Sequence, residues 1–370
     1  MFKVLKMAAA YATFFSTRHK LQHASDDYWR RKIGDRILTV DGRVLNPRAQ
    51  AMIEFQDSLT VSKKHWTPQL VRRGFDKSVE LFDGKTVEIA SVKDIEIPVG
   101  SRKLKIRHYS DETSTARRPC ILFFHGGGFV IGSLDGYEKF CRKLARQSRF
   151  DVLSLEYRLA PEHKFPAAFE DALQSWEWIQ QNADLLHIDP AKVSVAGDSA
   201  GAFLAMLVAA DASKSNAGHV PLAMGLIYPP IFTAEESHSR QLLGDEKIVL
   251  NRDLLEWFME HFLPKGANFD DPRFAILDSA QEGRMPPTWI LTCGFDPLRD
   301  DGKKISDILS GLGAKVYFQE YEDLYHGFIT LSGVFSQVQV MIENMSEFFK
   351  RQNKLIDNQK ETARNKAIKQ

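Results

Sequence analysis

The stretch VSVAGDSAGAF, Val193 to Phe203, decides how this chain is read. Val193 and Val195 alternate as strand residues do. From Ala200 the run AGAFLAMLVAADAS is almost wholly apolar and rich in helix formers. Ser199 stands at the junction, between Gly197 and Gly201. A serine that only capped a helix would not need glycine two residues before and two residues after. A sharp strand-to-helix turn does need them. It holds Ser199 in strained backbone angles and crowds the flanking positions, where side chains would collide. The turn leaves the serine oxygen exposed above the C-terminal edge of a sheet, where open α/β sheets place their ligands. The Ala200 N–H then lies at a helix N-terminus, which favours an anion.

Outward from this turn the texture is that of alternating strands and helices. TVEIASVKDIEIPV, LKIRHYS, CILFFHGGG, DVLSLEYR, KVSVAGDS, MGLIYPP, TWILTCGFD and KVYFQEYED are strand-like, several of them continuous apolar runs suited to strands buried on both faces. Amphipathic patterns lie between them. VFSQVQVMIENMSEFFKRQ, for example, places Val334, Val338, Met341, Met345 and Phe348 on one helical face. The order predicts βαβ units and a mostly parallel sheet. Five stretches are expected: N-terminal extension and cap helices over 1–80, a core over 81–234, a cap insertion over 235–275, the rest of the core over 276–350, and a polar, frayed tail over 351–370.

A second glycine motif strengthens the first. His125-Gly126-Gly127-Gly128 follows the strand ILFF directly. Consecutive glycines let backbone N–H groups turn toward a bound oxygen, and such donors, with Ala200, suit the oxyanion of a tetrahedral intermediate. A phosphate loop would want Lys-Ser or Lys-Thr next, and Phe129-Val130 stand there instead. A serine nucleophile needs a base, and the base needs a carboxylate. Of the histidines after Ser199, His219 precedes a strand, and His238 and His261 fall in the insertion. His326, in YEDLYHGF, follows the last strand on the edge that carries Ser199. Asp296 is the first acid after the preceding strand. Asp300 and Asp301 fall in the next helix, and Glu320, Glu322 and Asp323 lie too close to His326 along the chain.

Composition bounds the rest. The chain has 370 residues, 44% apolar and 26% charged, with a net charge of +1, so no electrostatic footprint for nucleic acid exists. Cys120, Cys141 and Cys293 are widely spaced and odd in number, which argues against a disulfide framework or a zinc pattern and for buried thiols in a reducing, cytoplasmic setting. The opening MFKVLKMAAAYATFFSTRHK makes a poor signal peptide, without an A-x-A site, and is too short to span a bilayer. An amphipathic helix lying on the protein body or on a membrane surface is expected.

Together HGGGF, YRLAPE, GDSAG, DPLRD and HGF resemble the hormone-sensitive-lipase-like family of α/β-hydrolase esterases over about 46–349. The resemblance implies an α/β-hydrolase fold, with an eight-stranded, mostly parallel sheet flanked by helices and a helical cap. It maps the nucleophile to Ser199, the orienting acid to Asp296, the base to His326, and the oxyanion donors to Gly127, Gly128 and Ala200. It implies hydrolysis of short- to medium-chain carboxylic esters with no metal and no organic cofactor. An amidase or deacetylase using the same triad, and a non-catalytic receptor on this fold, stay open as alternatives, as do a homodimer and peripheral membrane contact. Phe129, Trp257 and Phe258 are candidates for the substrate mouth, with Trp257, Phe258 and Phe262 equally placed to be cap core. Arg158 and Glu162 of YRLAPE are read as structural. Where the family often has Gly-Asn after GDSAG, this chain has Ala202-Phe203, a change of packing that removes no catalytic group.

Overall fold

The strand-like runs pair into one eight-stranded sheet. The computed structural model describes residues 2–59, 61–100, 102–114, 116–214, 219–233, 235–267, 269, 271–278 and 284–368, with the side chains of 2–12, 360 and 363–368 excepted. In chain order the elements are α1 (Phe2–His23), α2 (Asp26–Ile33), β1 (Thr39–Val40), β2 (Arg43–Val44), α3 (Pro47–Leu59), α4 (Pro68–Phe82), β3 (Ser91–Val99), β4 (Arg102–Ser110), β5 (Arg118–Phe124), α5 (Glu138–Ser148), β6 (Asp151–Glu156), α6 (Ala167–Gln181), β7 (Ile188–Asp198), α7 (Ala200–Lys214), β8 (Met224–Ile227), α8 (His238–Leu243), α9 (Arg252–Phe262), β9 (Thr288–Phe295), α10 (Arg299–Gly311), β10 (Val316–Tyr325) and α11 (Gln337–Ile368).

The sheet runs β10-β9-β8-β7-β5-β6-β4-β3. Only β4 runs against the rest, pairing antiparallel with β3 and β6. Every residue of β8 and β9 is buried, as their largely apolar sequences suit in strands covered on both faces. One apolar cluster joins one face to α6, α7 and α10, and a second joins the other face to α3, α5 and α11. The apolar face read from the sequence is in the core: Val338, Met341, Met345 and Phe348 of α11 are buried, as is Val334 just before it. β5 has β6 on one side and β7 on the other. The chain therefore changes direction across the sheet at β5, and a crevice opens at the C-terminal ends of β5 and β7.

Helices cover that crevice. α4 begins with Pro68 in its first turn and a cap from Thr67 Oγ1, which accepts the Leu70 N–H at 3.2 Å. α9 is capped in the same way, Asn251 Oδ1 accepting the Leu254 N–H at 3.0 Å. The segment before α4 meets α9 from the insertion. Lys63 pairs with Asp253 and Glu256, and Trp66 stands edge-on to Trp257 at 6.3 Å between centroids. The described side chains of α1 lie against the body, Phe14 beside Phe55 at 5.4 Å and Arg18 Nε donating to the Leu81 carbonyl at 3.0 Å. Among the described residues no helix is long and apolar enough to cross a membrane.

One expectation fails. The polar stretch from Arg351 is not a frayed end but carries α11 on to Ile368. It holds no glycine or proline, and its Gln, Lys, Glu, Ala and Arg are good helix formers. An ion pair from Asp357 to Lys192, at 2.6 Å, ties it to the body.

Candidate active site

The turn at Ser199 has the strain that its sequence implies. Ser199 sits at φ 52°, in the left-handed region. A Cβ on Gly197 would lie 2.3 Å from the Gly201 carbonyl, and one on Gly201 would lie 2.0 Å from the Phe124 oxygen. Both contacts are with backbone, which cannot move aside. The Ser199 N–H is held by the Ile227 carbonyl at 2.9 Å, and the Ser199 carbonyl accepts the Ala202 N–H at 3.0 Å as α7 begins.

Three strand ends then bring three side chains together. Asp296 follows β9, is fully buried, and accepts the Leu298 N–H at 2.8 Å through Oδ1. Its Oδ2 lies 2.7 Å from His326 Nδ1. His326 follows β10, and its Nε2 lies 2.9 Å from Ser199 Oγ. A carboxylate can only accept, so Nδ1 donates to it and Nε2 is left bare to accept the serine proton. The Tyr228 ring packs against the imidazole at 4.2 Å between centroids. The rejected candidates lie elsewhere. His219 and His238 are exposed, and His261 bonds the Trp257 carbonyl within α9. Asp300 accepts the Ser239 N–H, and Asp301 pairs with Arg240, so both tie α10 to α8.

The glycine loop after β5 closes the other side. Gly127 and Gly128 have φ 111° and 58°. Any Cβ there would strike the Ile131 carbonyl or the Phe258 ring within 2.4 Å. The N–H groups of Gly127, Gly128 and Ala200 find no acceptor among the described residues, and all three residues line the cavity beside Ser199. Unpaired backbone donors are costly unless something occupies their site.

Asp198 anchors this loop to the elbow. It accepts the Gly126 N–H at 2.7 Å, the Tyr137 hydroxyl at 3.0 Å and the Tyr228 hydroxyl at 3.1 Å. Burial pushes its pKa up to about 6, against the pull of those hydrogen bonds. His125 lies below the loop, stacked on Tyr157 at 4.3 Å, with Nδ1 2.8 Å from the Gly126 carbonyl. Burial lowers its pKa to about 4, so it is neutral near pH 7. The aspartate of GDSAG is visible in the sequence, but nothing there shows that Tyr137 and Tyr228 converge on it.

Above Ser199 is a cavity of about 690 Å³, mostly apolar, between α3, α4 and α9. Phe258 lines it, as the sequence suggested. Phe129 and Trp257 do not. Phe129 is fully buried at φ 63° and stacks on Phe262 at 4.2 Å. Trp257 is buried against Trp66 and His261. The strained backbone after Gly128 turns Phe129 away from the nucleophile, and α9 presents Phe258 to the cavity and Trp257 to its side. Arg158 and Glu162 hold loops, Arg158 on Asp171 and Glu162 on Arg72.

Residues 121–330 match the family model described as alpha/beta hydrolase fold. The carboxylic ester hydrolase LipN of Mycobacterium tuberculosis (strain ATCC 25618 / H37Rv) is 33% identical over 304 residues, 80% of each chain. An ethyl acetate hydrolase of Pseudomonas putida is 31% identical over 270 residues, covering 72% of this chain and 84% of its own. Among solved structures, the ester hydrolase EH1AB1 from the metagenome of Lake Arreo, complexed with a bipyridine phosphonate derivative, superposes with a TM-score of 0.78 at 30% identity. That alignment covers 83% of this chain and 98% of that one.

Proposed function

Since this chain belongs to the α/β-hydrolase family, in the hormone-sensitive-lipase-like branch of carboxylic ester hydrolases, we propose that Ser199, His326 and Asp296 are the catalytic triad of a serine carboxylesterase. The observation that carries this reading is the unbroken chain from Asp296 Oδ2 through the imidazole to Ser199 Oγ, at 2.7 and 2.9 Å. Ser199 Oγ attacks the ester carbonyl carbon while His326 Nε2 takes its proton. The carbonyl oxygen, now carrying the negative charge, turns to the N–H groups of Gly127, Gly128 and Ala200. Collapse of this intermediate breaks the bond to the alcohol oxygen, which takes the proton back from His326 and leaves. Water repeats the sequence on the acyl-enzyme, giving its proton to His326, and the acid departs as Ser199 regains its hydrogen. Asp296 fixes the tautomer throughout and stabilises the imidazolium.

Ser199→Ala tests the assignment. Loss of a triad nucleophile typically costs about 10⁶ in kcat. Hydrolysis of p-nitrophenyl butyrate is expected to fall to that extent while the circular dichroism spectrum and melting temperature stay near those of the parent. Near-normal turnover would remove Ser199 from its role.

A further inference from the structure

His326 follows an irregularity in β10. Tyr321 pairs with Cys293 of β9, and the next pair is Tyr325 with Phe295. Glu322, Asp323 and Leu324 therefore stand opposite Gly294 alone, where a Cβ would lie 2.0 Å from the Glu322 carbonyl oxygen. A bulge of this kind bends its strand and re-aims the side chains that follow, which here are Tyr325 and His326. A strand advances about 3.3 Å per residue. Were one bulged residue to rejoin the ladder, His326 would travel by roughly that length, more than the whole reach of a hydrogen bond. Its contacts with Asp296 and Ser199, at 2.7 and 2.9 Å, would both break. The bulge must therefore be held in place.

β10 is the edge strand, so the backbone groups on its outer side need partners from elsewhere. Asn46, just before α3, supplies them. Its N–H donates to the Asp323 carbonyl at 2.9 Å. Its Nδ2 donates to Asp323 Oδ2 at 3.1 Å and to Asp26 Oδ2 at 3.3 Å. Its Oδ1 accepts the Arg48 and Ala49 N–H groups at 2.9 and 3.3 Å, which caps α3. The buried amide thus uses two donors and two acceptor sites, and no other side chain of its size supplies both. The far end of the histidine loop is gripped from the same part of the chain. Arg48 Nη1 donates to the Val334 carbonyl at 3.1 Å while its Nε holds Asp26 at 2.9 Å. The Gly333 N–H donates to the Phe82 carbonyl at 3.0 Å, and Ser332 Oγ accepts the Gly84 N–H at 2.9 Å. All of these partners precede β3. Resting on the triad reading, we infer that Asn46 is a positioning residue for the catalytic base, fixing the β10 bulge that aims His326. The segment of α2 and α3 is through it part of the catalytic apparatus and not only a cover for the cavity. Neither Asn46 nor Asp323 lines that cavity, so the effect falls on the chemical step and not on substrate binding.

The test uses the full chain and p-nitrophenyl butyrate. Asn46→Ser keeps a cap for α3 and the backbone N–H but loses both Nδ2 donors. A misplacement of about 1 Å costs on the order of 10² in rate. With the backbone bond kept, a fall of about tenfold in kcat is expected, KM staying within about twofold. Asp323→Ala removes the same side-chain bond from the other partner and is expected to lose as much. Asp323→Asn still offers Asn46 an acceptor and is expected to recover most of that loss. The deciding measurement repeats Asn46→Ser in the His326→Ala background, where no base is left to be placed. There the fall is expected to shrink below about twofold. An equal fall in both backgrounds, or an Asn46→Ser protein as active as the parent, overturns the positioning role and leaves the triad in place. If Asn46→Ser does not fold, Asp323→Ala gives the same pair of readings. A parent inactive on every ester, or a His326→Ala protein as active as the parent, overturns the triad reading and this inference with it.

Discussion

The strand ends below the cavity and the helices above it are held by different kinds of force. Below, position is set by backbone. Ser199, Asp296 and His326 each follow a parallel strand, and the first two are held by backbone N–H groups, Ser199 through its own N–H on the Ile227 carbonyl and Asp296 through the Leu298 N–H on its Oδ1. Above, position is set by side-chain packing and exposed charge. Lys63 reaches Asp253 and Glu256 across the surface, in pairs worth little in water, and Trp66 leans on Trp257. The lower region defines the chemistry. The upper region defines what can reach it, and its contacts are those that can open and re-form at low cost.

Asp296→Asn is the sharpest way to break this contrast. An amide in place of the carboxylate can donate to His326 Nδ1, which moves the imidazole proton to Nε2 and removes the acceptor for Ser199. A loss of about 10⁴ in kcat is expected, with KM little changed. A pH-independent loss of less than tenfold would show that geometry at the strand ends matters far less than their rigid backbone implies.

The same contrast explains what the sequence made legible. The elbow could be read because Gly197 and Gly201 answer a local steric demand, and that demand leaves a mark within five residues. The strands could be read because β8 and β9 are largely apolar, with only Thr288 and Thr292 polar among them. Asp296 and His326 could be read because strand order fixes which loops share an edge. Phe129 and Trp257 could not be placed, since the direction of a cap aromatic depends on partners far along the chain, such as Phe262 and Trp66. Phe75 carried no signal at all. Its place on the cavity wall follows from its stacking on Tyr137, more than sixty residues away. The first part of α11 was legible from its apolar face, but its polar extension past Arg351 was not, since it has no apolar stripe and only its residue types favour helix.

Acid stability sharpens the comparison at intermediate size, since two buried groups of the lower region titrate in opposite senses. His125 has its pKa lowered from 6.5 to about 4 by burial. The unfolded chain takes up that proton first as pH falls, so its contribution is present above pH 6.5 and is lost toward pH 4, roughly 3 kcal/mol in all. Asp198 has its pKa raised from 3.8 to about 6 by burial. Here the folded chain takes up the proton first, so stability is gained as pH falls from 6 to 4, by a similar amount. The two largely cancel in the parent. Asp198→Asn removes only the second, and its urea-unfolding free energy relative to the parent is expected to fall by roughly 3 kcal/mol between pH 7 and pH 4. A difference that stays constant with pH would mean that Asp198 titrates no differently in the folded and unfolded chains.

The smallest effect is a difference of sign between two helical glycines. Gly201, in the first turn of α7, is there because the Phe124 oxygen would lie 2.0 Å from any Cβ. Gly74, in the middle of α4, has an ordinary backbone and nothing within 4 Å of an added Cβ. No steric demand holds glycine at Gly74, and it lies on the wall of the open cavity. Glycine in a helix interior costs about 1 kcal/mol against alanine. Gly74→Ala is therefore expected to raise the unfolding free energy by about 0.5–1 kcal/mol, and Gly201→Ala to lower it by about 1–3 kcal/mol through overpacking. Equilibrium denaturation of the two variants checks this directly. If both lost stability, α4 would be packed as tightly as α7, and the cap would owe its position to the same backbone constraints as the strand ends beneath it.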